Sequence, residues 1–323
     1  MVLIISEGID QTTHEVIDWL IYKKKKYLVL NAEFFLNSAF IKLSNNATKI
    51  LLHFNNTKEE VDLSLVTSLW YRKGDINIDI KSLLPDFPKE LQKDVFLHLS
   101  NEWNTFKNFV FEIAQDKRVL GNYFTKVKSK LGYLKYAKDC GLLIPDTFVI
   151  NSKEMLLEIQ KNYTGIITKS IQEIFNIVYG KESLYTYTSM ISDEQINSMP
   201  DTFFPSLVQN KIDKKYELRI FFMQTSLYAM AIFSQNDEKT KIDFRNYNYE
   251  KPNRTVPYKL PNDIERKIIS FIECTQLNTG SIDMILTSEN EYIFLEVNQA
   301  GQFGFVSADC NYYLEKKVAA YLV

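Results

Sequence analysis

The chain has 323 residues, 46% of them hydrophobic and 24% charged. This ordinary globular composition excludes disordered, collagen-like and disulfide-scaffold classes. With 38 basic against 40 acidic side chains the net charge is −2, which argues against a broad electrostatic grip on nucleic acid.

In chain order, Val2–Ile5 reads as a strand, Thr12–Tyr22 as a helix and Tyr27–Leu30 as a second strand, the pattern of a βαβ unit. Met1–Ile5 meets Glu7 and Asp10 without a basic lead, and no apolar run approaches the roughly 18 residues of a membrane helix, so neither export nor a membrane is expected and the cytosol is the default compartment. The run Lys23–Lys26 sits where a helix C-terminus favours cations. Ile50–Phe54 and Ser68–Tyr71 are further strands, and Lys89–Gln115 carries a long helical pattern. Beyond Gly121-Asn122 a helix is expected over Lys126–Cys140, ended by Gly141, then a strand over Thr147–Ile150 and a helix capped by Ser152. From Gly165 the pattern turns to strands: Ile166–Lys169, Leu184–Met190, Leu207–Asn210, Glu217–Met223 and Leu227–Phe233. Residues 235–261, with Pro252, Pro257 and Pro261, read as a long loop. A helix over Ile264–Cys274 capped by Asn262, a hairpin of Ser281–Leu286 with Tyr292–Val297, and a closing helix over Asn311–Leu322 complete the chain. The fold class is α/β (α+β), divided as an N-terminal α/β domain over 1–120, a central small α/β domain over 121–208 and a C-terminal antiparallel-sheet domain over 209–323.

Several chemistries lack their parts. Three histidines (His14, His53, His98) show no metal spacing, no Gly-x-Ser-x-Gly elbow occurs, and neither a P-loop nor a Gly-x-Gly-x-x-Gly fingerprint is present. The cysteines Cys140, Cys274 and Cys310, far apart and odd in number, read as buried thiols. In Tyr292–Asn298 the alternation of Ile293, Leu295 and Val297 with Phe294, Glu296 and Asn298 puts Glu296 and Asn298 on one strand face, with Asp283 beside them on the partner strand. That set suits a hard cation, although on spacing alone a polar strand edge facing solvent is the plainer reading. Glu217 and Arg219 share a face two residues apart, and arginine offers a fork for phosphate or carboxylate. Lys169 closes an apolar run, as a snorkelling surface lysine or as a phosphate ligand.

The order of these groups is more specific than any one of them. Ser129-Lys130-Leu131, Ile167-Thr168-Lys169, Leu207-Val208-Gln209-Asn210, Glu217-Leu218-Arg219, Asp283 and Glu296-Val297-Asn298 resemble the ATP-grasp ligases over about residues 120–323. Across nearly the whole chain, Trp70-Tyr71-Arg72-Lys73-Gly74-Asp75, Asp243-Phe244-Arg245-Asn246-Tyr247, Asn278–Asp283 and Phe294–Asn298 with Gly301-Gln302-Phe303 resemble the grasp-with-spasm (microviridin- or graspetide-type) peptide maturases, relatives of the ribosomal-protein glutamate ligases.

This resemblance implies an ATP-grasp fold behind an N-terminal α/β domain. It further implies a macrocyclase using ATP and Mg²⁺ to activate Asp or Glu side chains of a ribosomal precursor peptide, leader plus core, and to join them to Ser/Thr hydroxyls or Lys amines. It implies Lys130 and Lys169 on phosphates, Gln209, Asn210 and Lys211 at adenine through backbone groups, and Glu217 on the ribose. Arg219 would lie near the transferred phosphate, Asp283, Glu296 and Asn298 would ligate magnesium, and Arg72 and Arg245 would meet anionic substrate. Ser170–Leu184 departs from the family, having only Gly180 where relatives carry a glycine-rich phosphate loop. A ligase adding a free amino acid to a protein or small acid is the alternative activity. Neither nucleic acid nor a membrane is an expected partner, and the resemblance leaves room for a homodimer.

Overall fold

The structure is a computed structural model that describes the chain except residues 9, 56, 58, 59, 128, 173–175, 180, 181, 187, 236–249 and 251, and the side chains of 176–178 and 182–185. It divides into two compact units, the first Met1–Phe124 with Gln302–Ser307 and Tyr313–Val323, the second Thr125–Gly301 with Ala308–Tyr312.

Unit 1 opens with β1 (Val2–Ile5), α1 (Gln11–Tyr22) and β2 (Tyr27–Leu30), then β3 (Leu36–Ser44), β4 (Ala47–Phe54), β5 (Val61–Asp62), β6 (Ser68–Tyr71), α2 (Gln92–Ala114) and β7 (Arg118–Leu120). A parallel sheet in the order β2-β1-β6-β7 and an antiparallel sheet β3-β4-β5 result. All four residues of β1 are buried, as expected of a parallel strand covered on both faces. Leu3, Ile5, Leu30 and Leu69 pack with Val110, Phe111 and Ala114 of α2 and with Ile50, Leu52 and Phe54 of β4. The Asp10 carboxylate caps α1 by accepting from Thr12 N–H at 3.2 Å, and the Lys23–Lys26 run follows the last helical residue.

Unit 2 contains α3 (Lys130–Asp139), β8 (Thr147–Ser152), α4 (Lys153–Asn162), β9 (Ile166–Lys169), β10 (Asn176–Tyr179), β11 (Glu182–Tyr185), β12 (Ser189–Met190), α5 (Asp193–Ser198) and β13 (Thr202–Asn210). It continues through β14 (Lys214–Met223), β15 (Ser226–Phe233), β16 (Arg254–Tyr258), α6 (Asn262–Thr275), β17 (Thr279–Thr287) and β18 (Tyr292–Asn298). Then follow α7 (Gly304–Cys310) and α8 (Leu314–Tyr321), the latter returning to unit 1, where Lys316 lies over the Trp19 ring at 5.2 Å.

Two antiparallel sheets organise unit 2. One, in the order β12-β9-β13-β8, shares a core with Leu156 and Ile159 of α4 and Ile196 of α5. The other, β16-β15-β14-β17-β18, buries one face: Leu218, Ile220 and Phe222 of β14 with Ile282 and Met284 of β17 pack against Tyr133, Leu134 and Ala137 of α3 and Ile264, Ile268 and Phe271 of α6. Period-two geometry turns the alternate residues of β14 and β17 away from that core.

Four expectations change. α3 starts at Lys130 rather than Lys126, because the Ser129 hydroxyl accepts from Gly132 N–H at 3.1 Å and ends the preceding segment. Part of the expected loop 235–261 is β16, an edge strand that tolerates Pro257; residues 236–249 and 251 lie outside the described residues. The closing helix expected over Asn311–Leu322 is α8, which starts only at Leu314 because Asn311 (φ 54) and Tyr313 (φ 53) are left-handed, and α7 before it was not expected. Finally, β3 was not legible as a strand: most of its residues are exposed, so no alternation marks a buried face.

Candidate functional site

The face of β14, β17 and β18 turned away from the core gathers charge. β14 pairs with β17 so that Arg219 lies opposite Asp283, and β17 pairs with β18 so that Asp283 lies opposite Glu296 and Ser281 opposite Asn298. Arg219 Nη1 donates to Asp283 Oδ1 at 2.8 Å and to Oδ2 at 2.9 Å, and both residues are buried. Glu296 is met from α3, with Lys130 Nζ 3.2 Å from Glu296 Oε2. A lysine as the first residue of a helix opposes the helix dipole, so Lys130 breaks a local rule that Glu296 offsets.

A β-bulge makes this face possible. Asp283 pairs with Glu296 but Met284 pairs with Phe294, leaving Leu295 as the extra residue. Strict alternation would put Phe294 beside Glu296 and Asn298; instead Phe294 joins the core, 5.0 Å from the Phe271 ring, while the acid and amide keep the opposite face. The strand edge is covered at that point by Phe294 N–H donating to Leu143 O at 2.7 Å.

Two residues from Arg219 on the same strand, Glu217 is buried and accepts from the Ser234 hydroxyl at 2.7 Å and from Lys214 Nζ. Neither partner was found in the sequence. Lys214 is three residues from Glu217, the wrong parity for a regular strand, and a register shift between Lys214 and Tyr216 corrects it. At the strand end Asn298 Oδ1 accepts from Ala300 N–H at 3.1 Å and Asn298 O from Gly301 N–H at 3.0 Å, folding a tight turn. Gly301 is required there, since a Cβ would sit 2.3 Å from Ser281 Oγ. Next to it Gln299 Nε2 donates to the Tyr133 hydroxyl, and burial pushes Tyr133 up to about 12 against that bond.

The remaining candidates lie elsewhere. Lys169, half-buried, ends β9 in register with Leu207. Gln209 Nε2 donates to Thr147 Oγ1 at 2.8 Å, bracing β13 on β8. The backbone donors of Asn210 and Lys211 serve Asp146 O at 3.3 Å and Gly165 O at 2.9 Å, so the expected adenine contacts through these two N–H groups are already used within the chain. Among the described residues, buried Asn210 Oδ1 has no hydrogen-bond partner, and Lys211 Nζ is 2.8 Å from Asp213 Oδ1. Arg72 belongs to unit 1, where its Nε donates to Asp10 Oδ2 at 2.9 Å and its guanidinium lies over the Phe303 ring at 5.5 Å. At 5% exposure it has little surface left for a substrate, and it holds the residue that caps α1. Arg245 lies outside the described residues, as do Asp243 and Gly180. The cysteines depart from the expectation of three buried thiols: Cys310 is buried, whereas Cys140 is half-buried and Cys274 exposed.

No protein-family model matches the chain, and no curated protein matches it. Solved structures do. A RiPP-associated ATP-grasp ligase of Chryseobacterium gregarium, in complex with ADP and a leader and core peptide, superposes with a TM-score of 0.80 at 24% identity, over 99% of this chain and 94% of that one. The macrocyclase MdnC of Microcystis aeruginosa, bound with precursor peptide MdnA, gives 0.75 at 22% identity, over 100% and 99%. The ATP-grasp ligase PsnB, complexed with minimal precursor, Mg and ADP, gives 0.70 at 13% identity, over 99% and 96%. The fold of this chain is therefore that of the ATP-grasp ligases.

Proposed function

We propose that this chain is an ATP-dependent peptide ligase, a maturase that joins an Asp or Glu side chain of a ribosomal precursor peptide to a Ser/Thr hydroxyl or Lys amine of the same peptide. The observation that carries the reading is the paired acid and cation face, Asp283 with Arg219 and Glu296 with Lys130, in a chain matching nearly the full length of ligases solved with ADP, Mg and precursor peptides.

The physical problem is that a carboxylate attacking a polyphosphate brings anions together, so cations must be in place before charge develops. Arg219, fixed by Asp283 in the middle of a buried sheet, and Lys130, fixed by Glu296, are such cations, with Lys169 as a third. Two carboxylates directly opposite one another and an amide oxygen on the same face form a hard, anionic donor set, so Asp283, Glu296 and Asn298 fit Mg²⁺. Mg²⁺ held there supplies charge that offsets the phosphates. Glu217, oriented by Lys214 and Ser234, accepts from the ribose hydroxyls, and Asn210 Oδ1 offers adenine's exocyclic amine the partner that the chain does not supply. Arg245 is the remaining candidate for the acidic side chain of the peptide. Activating that side chain as an acyl phosphate and holding the nucleophile in the same peptide replaces an intermolecular encounter by an intramolecular one.

The test is the intact mass of a precursor peptide, rich in Thr/Ser and Asp/Glu, after incubation with the protein, ATP and Mg²⁺. Loss of one water per ring is expected. A gain equal to an amino-acid residue, seen only with free amino acids present, would replace this reading with the amino-acid-adding ligase. Glu296→Gln removes one charge from the donor set and is expected to slow turnover by roughly a hundredfold, about 3 kcal/mol, with circular dichroism unchanged.

A further inference from the structure

In unit 1 the antiparallel sheet β3-β4-β5 ends on β3, which has β4 on one side only. The start of the strand is covered, because Leu36 N–H donates to Asn77 O at 2.7 Å. From Ser38 to Ser44 no strand and no backbone hydrogen bond among the described residues meets the other side. The hairpin turn fixes which groups face that open side. Ser44 pairs with Ala47 across two residues, a spacing at which the two must exchange both backbone bonds. Hydrogen-bonded pairs therefore recur at Lys42 with Lys49, Phe40 with Leu51 and Ser38 with His53, and the residues between them, Ala39, Ile41 and Leu43, aim N–H and C=O outward. Sheet edges are usually blunted by charge, proline or shortness. This stretch has Lys42 as its single charge and no proline, with Phe40 51% and Leu43 64% exposed.

We propose that β3 pairs antiparallel with β3 of a second copy of this chain, about a two-fold axis at Ile41. Such an interface is isologous, so the strand must be complementary to itself. Centred on Ile41, Ala39 stands opposite Leu43 of the second copy, Ile41 opposite Ile41, and Leu43 opposite Ala39. All three outward residues of both strands are then used, giving about six hydrogen bonds, two for each pair. Moving the axis toward the turn leaves Ala39 unpaired and sets Lys42 against Lys42, and moving it the other way brings Leu43 to Asn37, where the β3 register is irregular. In the central register Lys42 faces Phe40 of the second copy, an ammonium beside a ring, at the closely spaced non-hydrogen-bonded positions. On the opposite face the exposed Leu43 side chain lies beside Ala39, whose small side chain leaves room for it. The pairing also closes on itself. It consumes β3 of both copies, and the far edge of the sheet, β5, is two residues long and offers no third chain a place. This interface lies within unit 1 and does not depend on the function proposed above.

The experiment combines sedimentation velocity with residue-resolved hydrogen exchange on the full chain, over about a hundredfold range of concentration. Expected are a mass that rises from one chain to two, and exchange of the Ala39, Ile41 and Leu43 amides that slows by about tenfold or more as the dimer fills. The amides of Phe40 and Lys42, already bonded to β4, should keep their rates. Leu43→Pro deletes one outward donor on an edge strand, where proline is tolerated, and should leave a monomer with unchanged circular dichroism. Two further variants keep every backbone donor and read the register. Ala39→Lys with Leu43→Lys sets like charges face to face and should give a monomer, whereas Ala39→Glu with Leu43→Lys sets opposite charges face to face and should restore the dimer. A monomer at every concentration, a dimer indifferent to the paired lysine substitutions, or no restoration by glutamate would overturn the proposal. So would protection of the three amides that arises only when precursor peptide is added to a monomeric chain, which would assign this edge to an extended peptide.

Discussion

Replacing Asp283 by asparagine keeps the shape of the side chain and removes the charge that Arg219 faces. One oxygen then stands where two accept from Nη1, at 2.8 and 2.9 Å, and the guanidinium stays in place. Arg219 is 7% and Asp283 8% exposed, so water cannot take over the lost contact. Removing one partner of a buried pair costs about 3–5 kcal/mol. The retained amide oxygen returns part of this, and about 3 kcal/mol is expected for Asp283→Asn, roughly a hundredfold in the folding equilibrium. Arg219→Gln should cost a similar amount. The double variant should cost less than the two singles together by at least about 1 kcal/mol, because neither charge is then left alone. The choice of probe matters, since Trp19, Trp70 and Trp103 all lie in unit 1 and their fluorescence reports on the other unit. Hydrogen exchange of the β17 amides reads the opening free energy where the pair sits. Additive single effects, or an Asp283→Asn chain within about 0.5 kcal/mol of the parent, would refute the argument that burial makes the two charges interdependent.

Gly301→Ala drives a Cβ to within 2.3–2.5 Å of Ser281 side-chain and backbone atoms; it should cost about 2 kcal/mol and lower the melting temperature, and an unchanged melt would contradict the close approach. Ser129→Ala removes the N-cap of α3 at about 1 kcal/mol, whereas Ser129→Gly should cost only a few tenths, a difference measurable in α3 amide exchange. Tyr71, Tyr123, Tyr133 and Tyr216 are each pushed up to about 12, chiefly by burial, so the folded chain holds their protons after the unfolded chain has released them. Their contribution is complete below pH 10, falls as pH rises, and is gone past pH 12. Ultraviolet titration should show these four phenols ionising with alkaline unfolding, and ordinary titration near pH 10 in the folded chain would contradict it.

Much of this architecture is written locally. The βαβ start, the β17/β18 hairpin and the shared face of Glu217 and Arg219 follow from alternation and helical spacing over a few residues, and the structure keeps all of them. What could not be read depends on partners distant in sequence. Phe294 looks like a neighbour of Glu296 until the core of α6 claims it, and Lys214 looks out of phase with Glu217 until the register shift brings them together. Arg72, in a motif that resembles functional sequence, is turned inward by Asp10, sixty-two residues away.

The single extra residue at Leu295 constrains how this chain can change length. Shortening β18 by one residue at that position would restore unbroken pairing with β17, yet it would rotate one side of the strand by half a turn, sending either Phe294 out of the core or Glu296 into it. Neither outcome keeps both the apolar packing and the acidic face, so insertions and deletions within this hairpin are tolerable only in pairs or in the turn at 288–291. The strand pair therefore carries a parity: its length can drift by evens and not by odds, and Leu295 marks the one place where an odd count has already been absorbed.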